Sequence, residues 1–276
     1  MSMTELFSDH LLTILALAIT GVVAGILAGL LGVGGGIVIV PVLYFLFQEF
    51  GVSPESAMVI ATATSLATIV PTSLSSIRTH HRLANVDVGL LKRWGLFILA
   101  GVLVASWLVT RIDGHWLTVL FGVIATLAAL NMLFRAGKPG LFPHLPGPAG
   151  QATMATSVGF FSAMVGIGGG TLSVPLLTLC NYPAHKAVGT AAAIGLMIAL
   201  PGALVMLTVG TTPADAPIST LGLINLAGFI CIVPLTVLFA PVGARLAATL
   251  DAARLKKVFA VVLLITGVRM LGQVMM

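Results

Sequence analysis

The stretch Gly-Val-Gly-Gly-Gly at 32–36 recurs as Gly-Ile-Gly-Gly-Gly at 166–170, each time within apolar sequence. A proline follows five residues after the last glycine of each copy, at Pro41 and Pro175. When Gly25 is aligned with Gly159, the nineteen positions 25–43 match 159–177 without a gap at eight identities. A duplicated glycine break in hydrophobic sequence is typical of a two-repeat membrane transporter whose helices are interrupted near the bilayer centre.

The composition indicates a protein that crosses the membrane several times. Apolar residues make up 58% of the 276 residues and charged residues only 8%, whereas a soluble domain has about 25% charged residues. The mean hydropathy is +1.14, so too little polar surface is left to cover a soluble globule. The sequence therefore predicts an all-α integral membrane protein.

The net charge of +5 does not indicate nucleic-acid binding, because the basic residues lie in short loops between apolar segments. Basic residues in such loops orient membrane helices. Cys180 and Cys231 lie in apolar sequence without the spacing of metal ligands. We therefore expect no metal site and no cofactor.

Ten apolar stretches divide the chain, and most approach the roughly 20 residues that span a bilayer as a helix. They are 11–31, 37–47, 56–77, 89–110, 115–134, 151–166, 171–181, 186–209, 218–240 and 255–275. The stretches 37–47 and 171–181 are too short, because eleven helical residues rise only about 16 Å. Each follows a glycine cluster, so we expect 11–47 and 151–181 to form re-entrant helical hairpins with the glycines at the turn.

The distribution of Lys and Arg predicts which loops face the cytoplasm. Loop 78–93, loop 135–150 and segment 241–257 carry them, whereas the N-terminus and segment 48–55 carry carboxylates and neither Lys nor Arg. Threading the chain through these sides in order gives a consistent path, in which both termini lie outside.

This threading predicts two inverted five-helix repeats, at 1–134 and 151–276, joined by a cytoplasmic linker at 135–150. The two halves then enter the membrane from opposite faces. A second sequence match supports the repeat. When Asp113 is aligned with Asp251, six residues between Asp113 and Leu133 recur in the second half.

The glycine breaks are the first candidate for a binding site. A helix start has unpaired amide N–H groups and a partial positive charge, both of which favour an anion. Glycine leaves no side chain between the amides and a ligand. The alternative is that these glycines only permit close helix packing.

Hydroxyl side chains early in the helix after each hairpin are the second candidate, because they can donate to an anion. The alternative is a bond from each hydroxyl to the carbonyl four residues earlier. The candidate substrate-binding residues are Gly34, Gly35, Gly36, Thr64, Ser65, Gly168, Gly169, Gly170, Thr171 and Thr190.

A basic cluster at the end of the stretch 56–77 consists of Arg78, His80, His81 and Arg82. It either anchors the topology or gathers anions at a cytoplasmic entrance. No Asp or Glu lies in the middle of an apolar stretch, so no proton-relay carboxylate is evident. No HExxH motif, paired Asp or Ser with a neighbouring base lies within the apolar stretches, so we do not expect an enzyme.

These motifs together resemble the TauE/SafE sulfite-exporter family. The resemblance rests on the two glycine breaks, each followed by Val-Pro, on Ala-Thr-Ser at 63–65, on the basic His-containing loop, and on Asn-Val-Asp at 85–87. Two positions depart from the family pattern: Ala63 stands where the family has glycine, and Ala191 stands where the family commonly has serine. The resemblance implies a transporter in the bacterial inner membrane that exports sulfite, sulfoacetate or another organosulfur anion.

The expected partners are the lipid bilayer and a small anionic substrate. Alternating access at a site between the repeats is the favoured mechanism. An anion channel and a proton- or Na⁺-coupled anion importer remain as alternatives. The sequence leaves open whether the protein forms a homodimer.

Overall fold

The computed structural model describes residues 3–135, 138–247 and 252–275, and it describes side chains within 13–135, 138–247 and 260–274. Parts of the predicted linker 135–150 and of the basic segment 241–257 lie outside the described residues. Within these ranges the fold is helical, with one small hairpin of two strands. The elements are α1 (Met3–Leu31), α2 (Gly36–Glu49), α3 (Pro54–Arg82), α4 (Val88–Val109), α5 (Gly114–Arg135), α6 (Pro148–Met164), α7 (Gly170–Leu179), α8 (Ala184–Thr208), β1 (Thr220–Leu221), β2 (Ile224–Asn225), α9 (Leu226–Leu246) and α10 (Ala252–Met275).

These ten helices confirm the predicted all-α membrane fold. Six of them are long and apolar enough to cross a membrane. The helices α2 and α7 follow the glycine breaks and have 14 and 10 residues, so they rise only about 21 and 15 Å. Each short helix is therefore too short to cross about 30 Å of hydrocarbon.

The apolar stretch 218–240 predicts one helical segment, and this boundary is wrong. Its first residues form the hairpin β1–β2, in which Gly222 has a left-handed backbone with φ +56°. The helix α9 starts after Asn225, whose side-chain oxygen accepts a hydrogen bond from the Gly228 amide at 2.8 Å. Apolar content alone does not distinguish a buried hairpin from the first turns of a helix.

The two halves of the chain are interleaved, because the first helix of each half packs against the fourth helix of the other. A Cβ atom built on Gly29 of α1 would overlap the carbonyl oxygen of Ala240 in α9. A Cβ atom on Gly159 of α6 would overlap the carbonyl oxygen of Ile98 in α4. Glycines thus bring the backbones of both pairs into contact, as is common in membrane helix packing.

When each helix is replaced by its counterpart in the other half, the main helix–helix contacts correspond to one another. The pair α1–α9 corresponds to α6–α4, and α3–α9 corresponds to α8–α4. The central pairs α3–α8 and α5–α10 correspond to themselves. This pairing supports a repeat of five helices, whereas the inversion of the two halves across the membrane stays a prediction.

Candidate functional site

The two glycine breaks, which are far apart in the sequence, contact each other directly. A Cβ atom on Gly168 would overlap the carbonyl oxygen of Val33 and lie 3.1 Å from the Cα of Gly34. A Cβ atom on Gly170 would overlap the carbonyl oxygen of Gly32. Such contacts exclude any side chain at these positions. We call the contact between 32–36 and 166–170 the glycine crossing.

The glycine crossing lies half-way along the two central helices. A Cβ atom on Gly36 would lie 2.9 Å from the Ser65 hydroxyl oxygen, and one on Gly169 would lie 2.7 Å from the Gly195 nitrogen. The helix α3 covers residues 54–82 and α8 covers 184–208. The contacts therefore fall close to the midpoint of both spans.

The identical glycine patterns have different backbones. In the first break Gly32, Gly34 and Gly35 have φ of +67°, +75° and +79°. In the second break Gly166 has φ +67°, but Gly169 has a right-handed φ of −57°. The first break thus has three glycines with a left-handed backbone, which disfavours other residues. In the second break, close contact with neighbouring backbone atoms explains most of the glycines.

Both short helices start at the crossing without a side-chain cap. Gly35 and Gly169 are the N-caps of α2 and α7, and neither helix start has a side-chain cap hydrogen bond. The first amides of a helix have no acceptor within that helix and carry its partial positive charge. The crossing therefore presents two polar, positively polarised helix starts within an apolar interior.

Three of the predicted hydroxyl residues bond to the backbone of other segments. The Thr64 hydroxyl oxygen accepts from the Asn225 amide at 2.8 Å, and that of Thr190 accepts from the Asp87 amide at 2.9 Å. The Ser65 hydroxyl donates to the carbonyl oxygen of Gly166 at 2.7 Å. These bonds connect α3 and α8 to the N-caps of α9 and α4 and to the second glycine break.

Two other hydroxyls beside the crossing have no partner among the described residues. Thr171 follows Gly170 in α7, and its Oγ1 is fully buried without a hydrogen bond. Thr62 is equally buried and unpartnered, and a Cβ atom on Gly166 would lie 2.8 Å from its Cα. A buried unsatisfied hydroxyl costs about 1–3 kcal/mol, and the hydroxyls of Ser73, Ser76, Ser106, Thr126 and Ser162 also lack a partner among the described residues.

A cavity of about 100 Å³ reaches the crossing along α7. Its lining includes Gly170 and Val33 at one end and Arg135 and Lys138 at the other. Thr178 also lines the cavity, and α7 rises about 12 Å between Gly170 and Thr178. The cavity therefore extends from the crossing to the linker surface. We call it the basic cavity.

Arg135 and Lys138 are not recognisable as site residues from the sequence, in which they serve only to orient the linker. In the structure the Arg135 guanidinium donates to the carbonyl oxygen of Pro139 at 3.0 Å. Neither cation is paired with a carboxylate in the part of the chain that the structure describes. The signal that could have found them is their position directly after α5, next to the end of α7.

The predicted entrance residues lie at the end of α3. Arg78, His81 and Arg82 are exposed. His80 differs from them, because it is buried with its Nε2 2.8 Å from the carbonyl oxygen of Gly29. His80 therefore connects α3 to α1 and does not form part of a solvent-facing entrance surface.

A Tyr–Asp pair holds the loops next to the basic cluster at the end of α3. The Tyr182 hydroxyl donates to the Asp87 carboxylate, and this bond holds the pKa of Asp87 below its usual value. Burial, and then the neighbouring carboxylate, raise the pKa of Tyr182. Because Asp87 also caps α4 through the Leu90 amide at 2.9 Å, the pair fixes the end of α7 against the start of α4.

The family model for the sulfite exporter TauE/SafE matches residues 17–270. The chain belongs to this family. The chain is similar to a "Probable membrane transporter protein" of Haemophilus influenzae, to which it is 30% identical over 93% of this chain and 97% of that protein. A further relative in Methanocaldococcus jannaschii is 29% identical over 74% of this chain and 76% of its own length.

A third similar protein, YunE of Bacillus subtilis, is 29% identical over 68% of this chain and 76% of its own length. It is also named as a probable membrane transporter protein. No solved structure matches the chain. The family, the names of the relatives and the six apolar spans identify a multi-pass membrane transporter, a class of protein that is generally not enzymatic.

Proposed function

We propose that this TauE/SafE protein exports a small sulfur-containing anion, such as sulfite or an organosulfonate, by alternating access at the glycine crossing. The observation that carries the proposal is the basic cavity, which ends at the crossing. Its two cations attract an anion from the cytoplasm, and the start of α7 offers it amide groups. The substrate class rests on the family.

The polar groups at the crossing replace part of the hydration shell that an anion loses inside the membrane. The helix starts at Gly36 and Gly170 supply amides, and the free hydroxyls of Thr171 and Thr62 supply donors. A buried cation at this depth would be more costly. Dipoles and hydroxyls without a full charge bind an anion weakly enough to let it leave on the other side.

Export needs no coupling ion in an inside-negative cell, because each negative charge that leaves gains about 2.3 kcal/mol per 100 mV. Import would need one. We therefore favour an exporter in the bacterial inner membrane, with inverted repeats at 1–134 and 151–276 and both termini outside. A channel and a coupled importer are the alternatives that the transport experiments below distinguish.

Flux in proteoliposomes, measured with labelled sulfite, sulfoacetate, taurine and sulfate, tests the proposal. A membrane potential negative on the side of the basic cavity should drive transport without a proton or Na⁺ gradient. Saturation and counter-transport of labelled substrate are expected of a transporter, whereas a channel shows neither. Flux that requires an imposed ion gradient would contradict simple export.

Two double variants compare the candidate entrances. Arg135→Gln with Lys138→Gln should raise the apparent KM about tenfold, because the cations collect the substrate electrostatically. Arg78→Gln with Arg82→Gln removes the same charge from the end of α3 and should leave KM close to wild type. The reverse result would assign the entrance to the α3 cluster.

A further inference from the structure

Two apolar grooves lie at equivalent positions in the two halves. One, between α2 and α10, has a volume of about 220 Å³, and the other, along α5, α6 and α7, has about 430 Å³. When the two glycine breaks are aligned, each α2 residue that lines the first groove has a counterpart on α7 that lines the second. The pairs are Ile37 and Thr171, Val38 and Leu172, Pro41 and Pro175, Val42 and Leu176, and Phe45 and Leu179.

The long helices beside these grooves correspond in the same way. When Asp113 is aligned with Asp251, four α10 residues of the first groove have counterparts on α5 in the second. The pairs are Val262 and Ile124, Ile265 and Leu127, Thr266 and Ala128, and Arg269 and Asn131. The last pair carries the one difference in charge between the two aligned sets, so only the α2–α10 groove has a cation.

The grooves face the membrane. On the α10 side Val262 and Ile265 are 54% and 63% exposed, and on the α5 side Leu127 is 61% exposed. Each groove lies beside a helix that is too short to span the bilayer. Because a void open to the hydrocarbon fills with lipid, acyl chains are the natural contents of the α2–α10 groove, which shares no lining residue with the basic cavity.

Arg269 lies near the depth of the headgroups. Its guanidinium stacks 4.2 Å above the ring centre of Phe45. Phe45 is nine residues after Gly36, which lies half-way along the spans, so it is about 13.5 Å from the centre. Half the hydrocarbon thickness is about 15 Å, so a guanidinium here can reach lipid phosphates.

The charge of Arg269 has no carboxylate partner among the described residues, and its observed contact is the stacking on Phe45. An Arg side chain near the end of a membrane helix extends its guanidinium to the interface, where lipid phosphates lie. Its planar fork binds phosphate oxygens in a bidentate manner. Charge complementarity therefore favours a lipid with an anionic headgroup.

We propose that the α2–α10 groove is a binding site for an anionic phospholipid. The phosphate contacts Arg269, and one acyl chain follows α2 from Phe45 toward Ile37, over about 12 Å of helix rise. The equivalent groove has Asn131 in place of the cation, and its residues Asn131, Pro175 and Leu179 also line the basic cavity. This site is independent of the transported anion.

Lipid retention by the purified full chain tests the site. Native mass spectrometry after exchange into an equimolar mixture of phosphatidylglycerol and phosphatidylcholine should show preferential binding of one phosphatidylglycerol molecule. Arg269→Asn introduces the residue of the equivalent groove and should weaken this binding about fivefold, the value of one basic residue at a lipid surface. Arg269→Lys should retain much of the preference.

Arg111→Gln is the matched control, because Arg111 also stacks on an aromatic ring, Trp107, at 5.4 Å but does not line the groove. It should leave the binding unchanged. Equal retention of both lipids by the wild type would overturn the proposal without any variant. So would an unchanged preference in Arg269→Asn, or a dimer that excludes lipid because a second copy covers the groove.

Discussion

At the residue scale, the positions of the crossing require glycine because of close contacts with neighbouring atoms as much as because of their backbone conformation. Gly169 has an ordinary helical φ of −57°, yet a Cβ atom there would lie 2.7 Å from both the Gly195 nitrogen and the Ile194 side chain. Gly35 combines φ +79° with a Cβ position 2.8 Å from the Ala24 carbonyl oxygen. Close contact between the breaks supports the packing interpretation, and the basic cavity supports the ligand interpretation.

Substitution of Gly169 by leucine tests the crossing by steric effect alone. Overpacking costs about 1–3 kcal/mol, so flux should fall about 5- to 150-fold if the leucine destabilises one of the conformations of the transport cycle by that amount. Gly35→Leu adds backbone strain and should be at least as severe. The measurement is flux per inserted protein in proteoliposomes.

Gly147→Leu is the control, since Gly147 has φ −61° and nothing lies within 4 Å of its Cβ position. It should transport like the wild type. Both crossing variants should still insert into the membrane. Wild-type flux in Gly169→Leu would show that the crossing is not part of the pathway.

At the scale of elements, the long helices are held by hydroxyls that bond to N-caps. Thr190 of α8 accepts from the amide of Asp87, the N-cap of α4. Thr64 of α3 accepts from the amide of Asn225, the N-cap of α9. The same device thus connects a central helix to an outer helix in both halves.

Thr190→Val should lower stability more than substrate affinity. It leaves the Asp87 amide without its acceptor, which costs about 1–3 kcal/mol, and should reduce the melting temperature in detergent by several degrees. Thr190→Ser retains the oxygen and should remain close to wild type. The opposite outcome, unchanged melting with a raised KM in Thr190→Val, would indicate that this hydroxyl binds substrate.

At the scale of the whole molecule, interleaving makes each half dependent on the other. The helix α1 packs on α9, and α6 packs on α4, so neither half buries its first helix by itself. The crossing forms only where the two hairpins meet. Because the helix contacts of one half correspond to those of the other, the α2–α10 groove and the α5–α6–α7 groove lie at equivalent positions relative to the glycine crossing.

Labelling of single cysteines tests the predicted orientation, with Cys180 and Cys231 replaced by alanine. We expect Gly147→Cys in the linker to react from the cytoplasmic side and Thr211→Cys, in the loop after α8, from the outside. Both positions are exposed. Reaction of both from one side would contradict the inverted threading, because α8 crosses the membrane once between them.

The sequence by itself determined the membrane class, the ten helical segments, the short arms after each glycine cluster and the family. These follow from apolar length and from glycine position, which are local properties. Only the tertiary structure decided that the two breaks touch, that His80 is buried against Gly29, and that Arg135 and Lys138 line the cavity that ends at Gly170. Contacts between residues far apart in the chain depend on how helices pack, and no local pattern encodes them. The recurring glycine pattern predicted two helix breaks near the bilayer centre, and the packing of both hairpins against α3 and α8 decided that these breaks meet.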